Sequence, residues 1–583
     1  MSDLKGSGPQ TADAPTLDDA FHELKSLEAG EGAAHERGQQ ADGPVLSADG
    51  TPLKRSLRRA LRAQKWRALA LIAPLLLFVL LTFIAPILDM LFRSVENDVV
   101  PDTIPRTVVA LRDWDAKSGK APGDDVFVPF YFDFAIAAHE KAHTALGARL
   151  NYQDVGMSSL FRRSGRHVDD IGKVYKKQFH KLNAAWDKPE TWTALMGSPA
   201  WQKDYTAWLA KGDNAGASPA FKLSEGARET LPRTAQIYDR FAADTQKQRR
   251  KTLERTKPWA VLYTALYMDL KANSKAAQSF DGDSAALLAD AAGAVPDFET
   301  VDIRDYFINK ISKDWGKVEP WATIKTYSGR FTSGYYLNAV DLRLTPDGVA
   351  LQPESKQIYL LLFKRTLYMS LVITGACILL GYPVSFLLAN LPARKTNLLM
   401  ILVLLPFWTS LLVRTSAWKV MLQQQGVIND VLVWLGMVDD AHRLVMINNQ
   451  FGTIVAMTHI LLPFMILPMF SVMSTIPPYY VRAARSLGAT NWTSFWRVYF
   501  PQSIPGIGAG SILVFILAIG YYITPEIVGG RTGTFISNRI AYHISSSLNW
   551  GLAAALGSIL LAAVMILYWA YDKIVGIDNV KLG

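Results

Sequence analysis

Six times along the chain the polar residues give way to an apolar block with no Asp, Glu, Lys or Arg inside it: residues 68–88, 366–391, 398–413, 452–473, 504–525 and 550–571. A hydrocarbon core about 30 Å thick takes roughly 20 apolar residues as a helix, so the pattern predicts six membrane spans. The third block is the shortest. It contains Pro406 and ends at Arg414, from where a long side chain can snorkel to the interface. His459 is the only ionisable side chain in the fourth. Six blocks this free of charge do not fit the buried helices of a water-soluble protein.

Flanking charge orients the spans. Lys54, Arg55, Arg58, Arg59, Arg62, Lys65 and Arg67 crowd the entry to the first, and such clusters stay on the cytoplasmic side. Alternation then puts the loops at Arg394–Lys395 and at 482–497 inside as well, and both are basic. The polar stretch 94–357 falls outside. Four domains are expected: a disordered leader (1–53), a basic segment with the first span (54–92), an extracytoplasmic insertion (93–356), and a five-span core (357–583). The leader has Phe21 as its only aromatic and no apolar core near Met1, which argues against a cleavable signal peptide.

The insertion is long enough to pack independently. Apolar residues at three- and four-residue spacing predict helices over 132–150, 171–186, 227–241 and 259–270, with a break at 212–219. Its tryptophans (Trp186, Trp192, Trp201, Trp208, Trp259, Trp315 and Trp321) fit either core packing or an exposed docking surface. His139-Glu140-Lys141-Ala142-His143 has the spacing of a zinc-protease helix. No third ligand is evident, so a solvated helix face is expected there and no metal site is assigned.

Composition narrows the picture in two ways. The net charge is +10, but the basic residues sit beside apolar blocks, which points to membrane orientation and not to a nucleic-acid-binding face. Cys377 is the only cysteine, so an exported domain must stand on packing alone, without an intrachain disulfide.

The segment 477–501 carries the candidate chemistry. Prolines bracket it. A helix is expected to stop at Gly488, where a residue without Cβ can turn left-handed, and a second short helix to start with Thr490 or Asn491 as its cap. Ala483, Ala484, Gly488, Ala489, Phe495 and Pro501 resemble, at the right spacing, the Glu-Ala-Ala loop of permease subunits in ATP-binding-cassette (ABC) importers. Arg482 replaces the acidic residue of that pattern, and Phe500 replaces its Leu. The resemblance implies that Arg482, Ala483, Ala484, Gly488, Ala489, Phe495 and Pro501 couple the chain to an ATPase.

Further motifs resemble the spermidine/putrescine (polyamine/opine) type of permease: Gly381-Tyr382-Pro383, Leu405-Pro406-Phe407-Trp408 through Trp418, Ile523-Thr524-Pro525 and Asn549-Trp550. This similarity implies an all-α, six-span bacterial inner-membrane permease that moves a small organic solute by alternating access. Implied partners are ABC ATPase subunits, a second permease and an extracytoplasmic substrate-binding protein. Trp408, Tyr521, Tyr522 and Glu526 are the candidate pathway residues. Relatives often carry an acidic residue where Tyr521 and Tyr522 stand, so a cationic solute would lean on aromatic faces, with Glu526 near enough to compensate. The sequence holds no Gly-x-x-x-x-Gly-Lys-Ser/Thr phosphate loop, so the chain is expected to be no enzyme and to need no cofactor. Two other classes remain open: a membrane-anchored zinc peptidase using His139, Glu140 and His143, and a non-transporting membrane sensor.

Reporter fusions test the orientation. Those after Lys395 and after Arg497 should read cytoplasmic, and one within 200–300 external. A cytoplasmic signal from the insertion would overturn the assignment.

Overall fold

The computed structural model describes residues 53–210 and 217–575. The expected leader lies outside these residues except for Leu53, as does most of the expected break at 212–219. The described residues form two compact units, one up to Ile87 and one from Leu88 onward. In the first, a helix over Leu53–Val79 passes into a π-helical turn at Leu80–Ile84. From Leu69 to Ile84 its large apolar side chains lie exposed, Leu71 at 84%, as suits a helix solvated by lipid.

Among the described residues, five helices are long and apolar enough to cross a membrane: Ala68–Arg93, Tyr359–Asn390, Gln450–Thr475, Asn491–Gly520 and Trp550–Lys573. The third predicted span is not one straight helix. It is Ala393–Trp408 followed by Leu411–Met421, bent by 93°. Pro406 lacks an N–H; the α-helix ends at Leu404, tightens into a 3-10 turn over Leu405–Trp408, and the bend follows at 409–410. The fifth span also differs from expectation, ending at Gly520 and not at Pro525; a separate short helix covers Ile523–Val528.

Tyr359–Asn390, Gln450–Thr475 and Phe500–Gly520 pack around Met369, Ile373, Cys377, Met457, Met465 and Val514. Lipid tails are as apolar as these side chains, so close fit holds such helices together more than exclusion of water does. Glycines provide that fit. A Cβ on Gly506 would come 2.9 Å from Val472, and one on Gly510 would come 2.7 Å from the Met465 sulfur.

The insertion is helical with one hairpin, Leu342–Thr345 paired to Gly348–Leu351, and it repeats itself. Ile104-Pro105-Arg106-Thr107 and Leu231-Pro232-Arg233-Thr234 each open a helix with the same backbone turn. Thr107 donates its N–H and hydroxyl to Asp133 Oδ2, both at 2.8 Å. Thr234 does the same to Asp269, at 2.8 and 2.9 Å. Arg106 and Arg233 each place Nη1 3.4 Å from the other carboxylate oxygen. Burial pushes both carboxyls up, Asp133 to about 6, against the pull of these donors.

The later part of each half matches too. Asn183 and Ser312 cap 3-10 turns at Ala184–Asp187 and Lys313–Gly316. Trp192 then donates to the Trp186 carbonyl at 3.1 Å, and Trp321 to that of Trp315 at 2.9 Å. The halves are closed crosswise. Gly197, ending the first, bridges to Leu223, starting the second, while Glu96 and Phe331 bridge the outer ends. The tryptophans of the insertion are mostly core: Trp186, Trp192, Trp201, Trp259, Trp315 and Trp321 are all 5% exposed or less.

The predicted helix over 132–150 breaks in two. Asp124–His139 ends, Lys141 turns left-handed at φ 62°, and Ala142–Asn151 begins. The imidazoles therefore part company. His139 stacks on Trp259 at 4.6 Å with its Nε2 3.0 Å from Asp169. His143 sits by the Ala137 carbonyl and the Phe134 ring, and burial lowers its pKa. A zinc-protease site needs both histidines on one face of an unbroken helix, and this backbone does not provide it.

The insertion is fixed to the spans at its C-terminal end. Asp341 accepts hydrogen bonds from the Ile358, Tyr359 and Leu360 amides at 2.9–3.0 Å, capping the second span. The Tyr336 hydroxyl meets both Ser94 and Ser558 at 2.9 Å.

The repeat makes a paired prediction. Asp133→Ala and Asp269→Ala each strand two buried threonine donors, and each should destabilise the insertion by about 2–3 kcal/mol. Arg233→Ala removes a half-exposed partner and should cost under about 1 kcal/mol. Urea unfolding followed by tryptophan fluorescence checks both.

Candidate functional site

The loop between the fourth and fifth spans starts with the helix Pro478–Ser486, with Pro478 in its first turn, where a missing N–H costs nothing. It ends in a Schellman turn. The Ala489 amide reaches the Ala484 carbonyl at 3.1 Å, the Gly488 amide reaches that of Arg485 at 3.0 Å, and Gly488 has φ 90°. A Cβ at Gly488 would have nothing within 4 Å, so the requirement for glycine there is purely one of backbone. Thr490 is the cap of the next helix, accepting from the Thr493 amide at 3.2 Å.

That next helix is not a separate short piece. Asn491–Ser494 continues through a π turn at Phe495–Tyr499 into Phe500–Gly520, and 491–520 forms one span. Pro501 explains the π turn: lacking an N–H, it leaves a gap in the ladder, and the Phe500 amide reaches back to the Phe495 carbonyl.

Phe495 points inward. It packs edge-on to Phe386 at 5.6 Å and Tyr382 at 6.2 Å, tying the loop to the second span. Arg482 and Ala483 are exposed. The most exposed apolar groups of the loop are Leu487 (90%) and Trp492 (72%), flanking the glycine turn. The sequence reading did not single these two out. The signal available was their position, one residue before Gly488 and four after it, on either side of the turn. Beneath the loop lies a groove of about 620 Å³ lined by Phe386, Met473, Pro477, Arg482, Arg485 and Phe495.

The second candidate cluster surrounds the break in the third span. Trp408 ends the first arm and is 72% exposed. Arg414 is half-buried, with its Nε enclosed and without a hydrogen-bond partner. Trp418 donates to His459 Nδ1 at 3.1 Å, and Thr415 meets Thr524 at 3.1 Å. Tyr521 and Tyr522 lie where the fifth span unwinds. Their carbonyls accept from Ser537 and Asn538, and Asn538 also donates to Glu526 at 2.6 Å. The structure thus brings Tyr521, Tyr522 and Glu526 together around Ser537 and Asn538, with the second arm of the third span against them through Thr415; Trp408, on the first arm, makes none of these contacts.

Residues 381–575 match the family described as "Binding-protein-dependent transport system inner membrane component". The chain is 33% identical over 220 residues to the spermidine/putrescine transport system permease protein PotB of Escherichia coli (strain K12), covering 37% of this chain and 79% of the relative. PotB of Haemophilus influenzae is 34% identical over 213 residues, covering 36% and 74%. The inner membrane ABC transporter permease protein YdcU of Escherichia coli (strain K12) is 32% identical over 222 residues, covering 36% and 70%. Among solved structures, a chain of a bacterial alginate ABC transporter, in complex with its alginate pentasaccharide-bound periplasmic protein, aligns with TM-score 0.31. It is 18% identical, over 37% of this chain and 77% of that one.

The glycine turn can be tested in isolation. Gly488→Ala keeps the space but forces a Cβ into a left-handed backbone, costing about 1–2 kcal/mol. Hydrogen exchange at the Ala489 amide should accelerate roughly five- to thirtyfold. Unchanged exchange would show that the turn tolerates a side chain.

Proposed function

This chain belongs to the binding-protein-dependent transport system inner membrane components, the permease subunits of ABC importers, and on that premise we propose that residues 477–501 couple it to separate ATPase subunits. The ATPases supply the energy, a second permease completes the path, and an extracytoplasmic binding protein delivers the cargo. The N-terminus and the loop 477–501 face the cytoplasm and the insertion faces the periplasm, as the flanking charges require.

One observation carries the coupling proposal: the helix after Gly488 is continuous with the fifth span. Thirty helical residues extend about 45 Å. A push received at Leu487 and Trp492 therefore arrives, through a stiff element, at Tyr521 and Tyr522. Glycine contacts bind that span to the fourth, so the two move together. The Schellman turn holds the angle between the receiving helix and the lever. Arg482, Ala483, Ala484 and Ala489 shape the receiving face, while Phe495 and Pro501 anchor and shape the lever's base.

Alternating access moves cargo past the region where the third span breaks and the fifth unwinds. Irregular backbone at membrane depth is tolerated where it lines a cavity or is buried in protein, which suits Trp408, Tyr521, Tyr522 and Glu526 as pathway residues. The relatives' names favour a polyamine or related small organic solute. For such a cation the tyrosine faces and the Glu526 carboxylate supply attraction, and Arg414 sets a positive limit that the cargo must pass.

The deciding measurement is substrate-stimulated ATP hydrolysis and uptake by the reconstituted complex. Gly488→Val should reach the membrane yet lose both, and Trp492→Ala should reduce both. Phe495→Ala should give a milder defect. Normal hydrolysis and import by Gly488→Val would remove this loop from the coupling role.

A further inference from the structure

Where the insertion meets the start of the last span, a cavity of about 490 Å³ is lined by Arg93, Glu96, Asp98, Arg149, Asn549 and Trp550, among others. Arg149 is only 6% exposed. Its Cζ lies 4.3 Å from the Tyr335 ring centroid and 4.9 Å from that of Tyr327. The rings offset part of the charge, but Nε, Nη1 and Nη2 all lack an acceptor. A protein interior penalises a buried guanidinium with no anionic partner, so the site is built for something that brings one.

A second donor lines the same cavity. Asn549 is 7% exposed and spends its Oδ1 on the Leu552 amide, capping the last span. Its Nδ2 is buried with no acceptor. Two buried donors, one of them cationic, suit the oxyanion of a phosphate or carboxylate. The cavity also holds acid. Glu96 and Asp98, two residues apart, both line it, while Arg93 is engaged with Asp89 at 2.7 Å. Neighbouring carboxylates of this kind favour a cation between them.

We propose that this cavity binds a small zwitterion, its phosphate or carboxylate held by Arg149 and Asn549 and its ammonium directed to Glu96 and Asp98. Two sources offer that chemistry: the headgroup of phosphatidylethanolamine, in reach because Trp550 opens a span at the membrane surface, and a free solute of the same kind. A polyamine has no oxyanion and does not fit. The site is thus separate from the proposed cargo path, and its test does not depend on the coupling assignment.

The test uses the full-length chain in its assembled complex and reads the midpoint of thermal unfolding. Soluble phosphoethanolamine is titrated in one arm. In another, nanodiscs containing phosphatidylethanolamine are compared with phosphatidylglycerol. A rise with phosphoethanolamine in detergent, or with phosphatidylethanolamine in nanodiscs, is the expected result, and which arm responds identifies the source. Arg149→Met should weaken the response at least about tenfold, the loss expected for one charge-assisted contact. Should that variant misfold, Asn549→Asp keeps the cap on Leu552 while turning a donor into an anion, and it should abolish the response. The proposal is overturned by no shift in either arm, by an equal shift with inorganic phosphate alone, or by a full response from both variants.

Discussion

Hydrocarbon offers a free peptide group no partner, and that constraint organises this molecule. Several interruptions of its spans are answered locally. Where Pro501 opens the ladder, the helix widens by one residue and reaches back to Phe495. Where the second span begins, Asp341 receives three amides, and where the last begins, Asn549 receives one. Past Pro406 and the turn at Leu405–Trp408 the ladder is abandoned, and the chain bends by 93° before Leu411. The breaks after Trp408, at Phe495–Tyr499 and at Tyr521–Tyr522 lie where cargo and force are proposed to pass.

Outside the membrane the same accounting is met with buried carboxylates. Asp133 and Asp269 each stand at the start of a helix they do not belong to and satisfy a threonine amide and hydroxyl together. A carboxylate at a helix N-terminus also meets the positive end of the helix dipole. The insertion builds this arrangement twice and closes the two halves on each other. Among the described residues, Arg149 stands as a buried charge left without such an answer.

Much of this was legible in the sequence. Charge-free blocks gave the spans because lipid admits little else, and the loop motif gave Gly488 because its left-handed backbone restricts the residue type. The break at Lys141 was not legible: nothing in His139–His143 forbids a continuous helix, and tertiary packing of His139 on Trp259 decides it. The inward direction of Phe495 depends on Phe386 and Tyr382, more than a hundred residues earlier, which periodicity does not reach. The duplication was visible in Pro105-Arg106-Thr107 against Pro232-Arg233-Thr234 and in the spacing of Trp186 to Trp192 against Trp315 to Trp321. It is easily passed over because the halves share few other residues.

The crosswise closure of the insertion has a consequence for how such a chain arises. Because Glu96 and Phe331 are paired, the polypeptide leaves the first span and returns toward the second through neighbouring points. A flexible excursion of this length would carry an entropic cost for bringing its ends together. Here the folded insertion brings its own ends together before the membrane asks it to. To the spans it is equivalent to a tight turn, so an ancestral permease could acquire or shed the whole domain without re-spacing its helices.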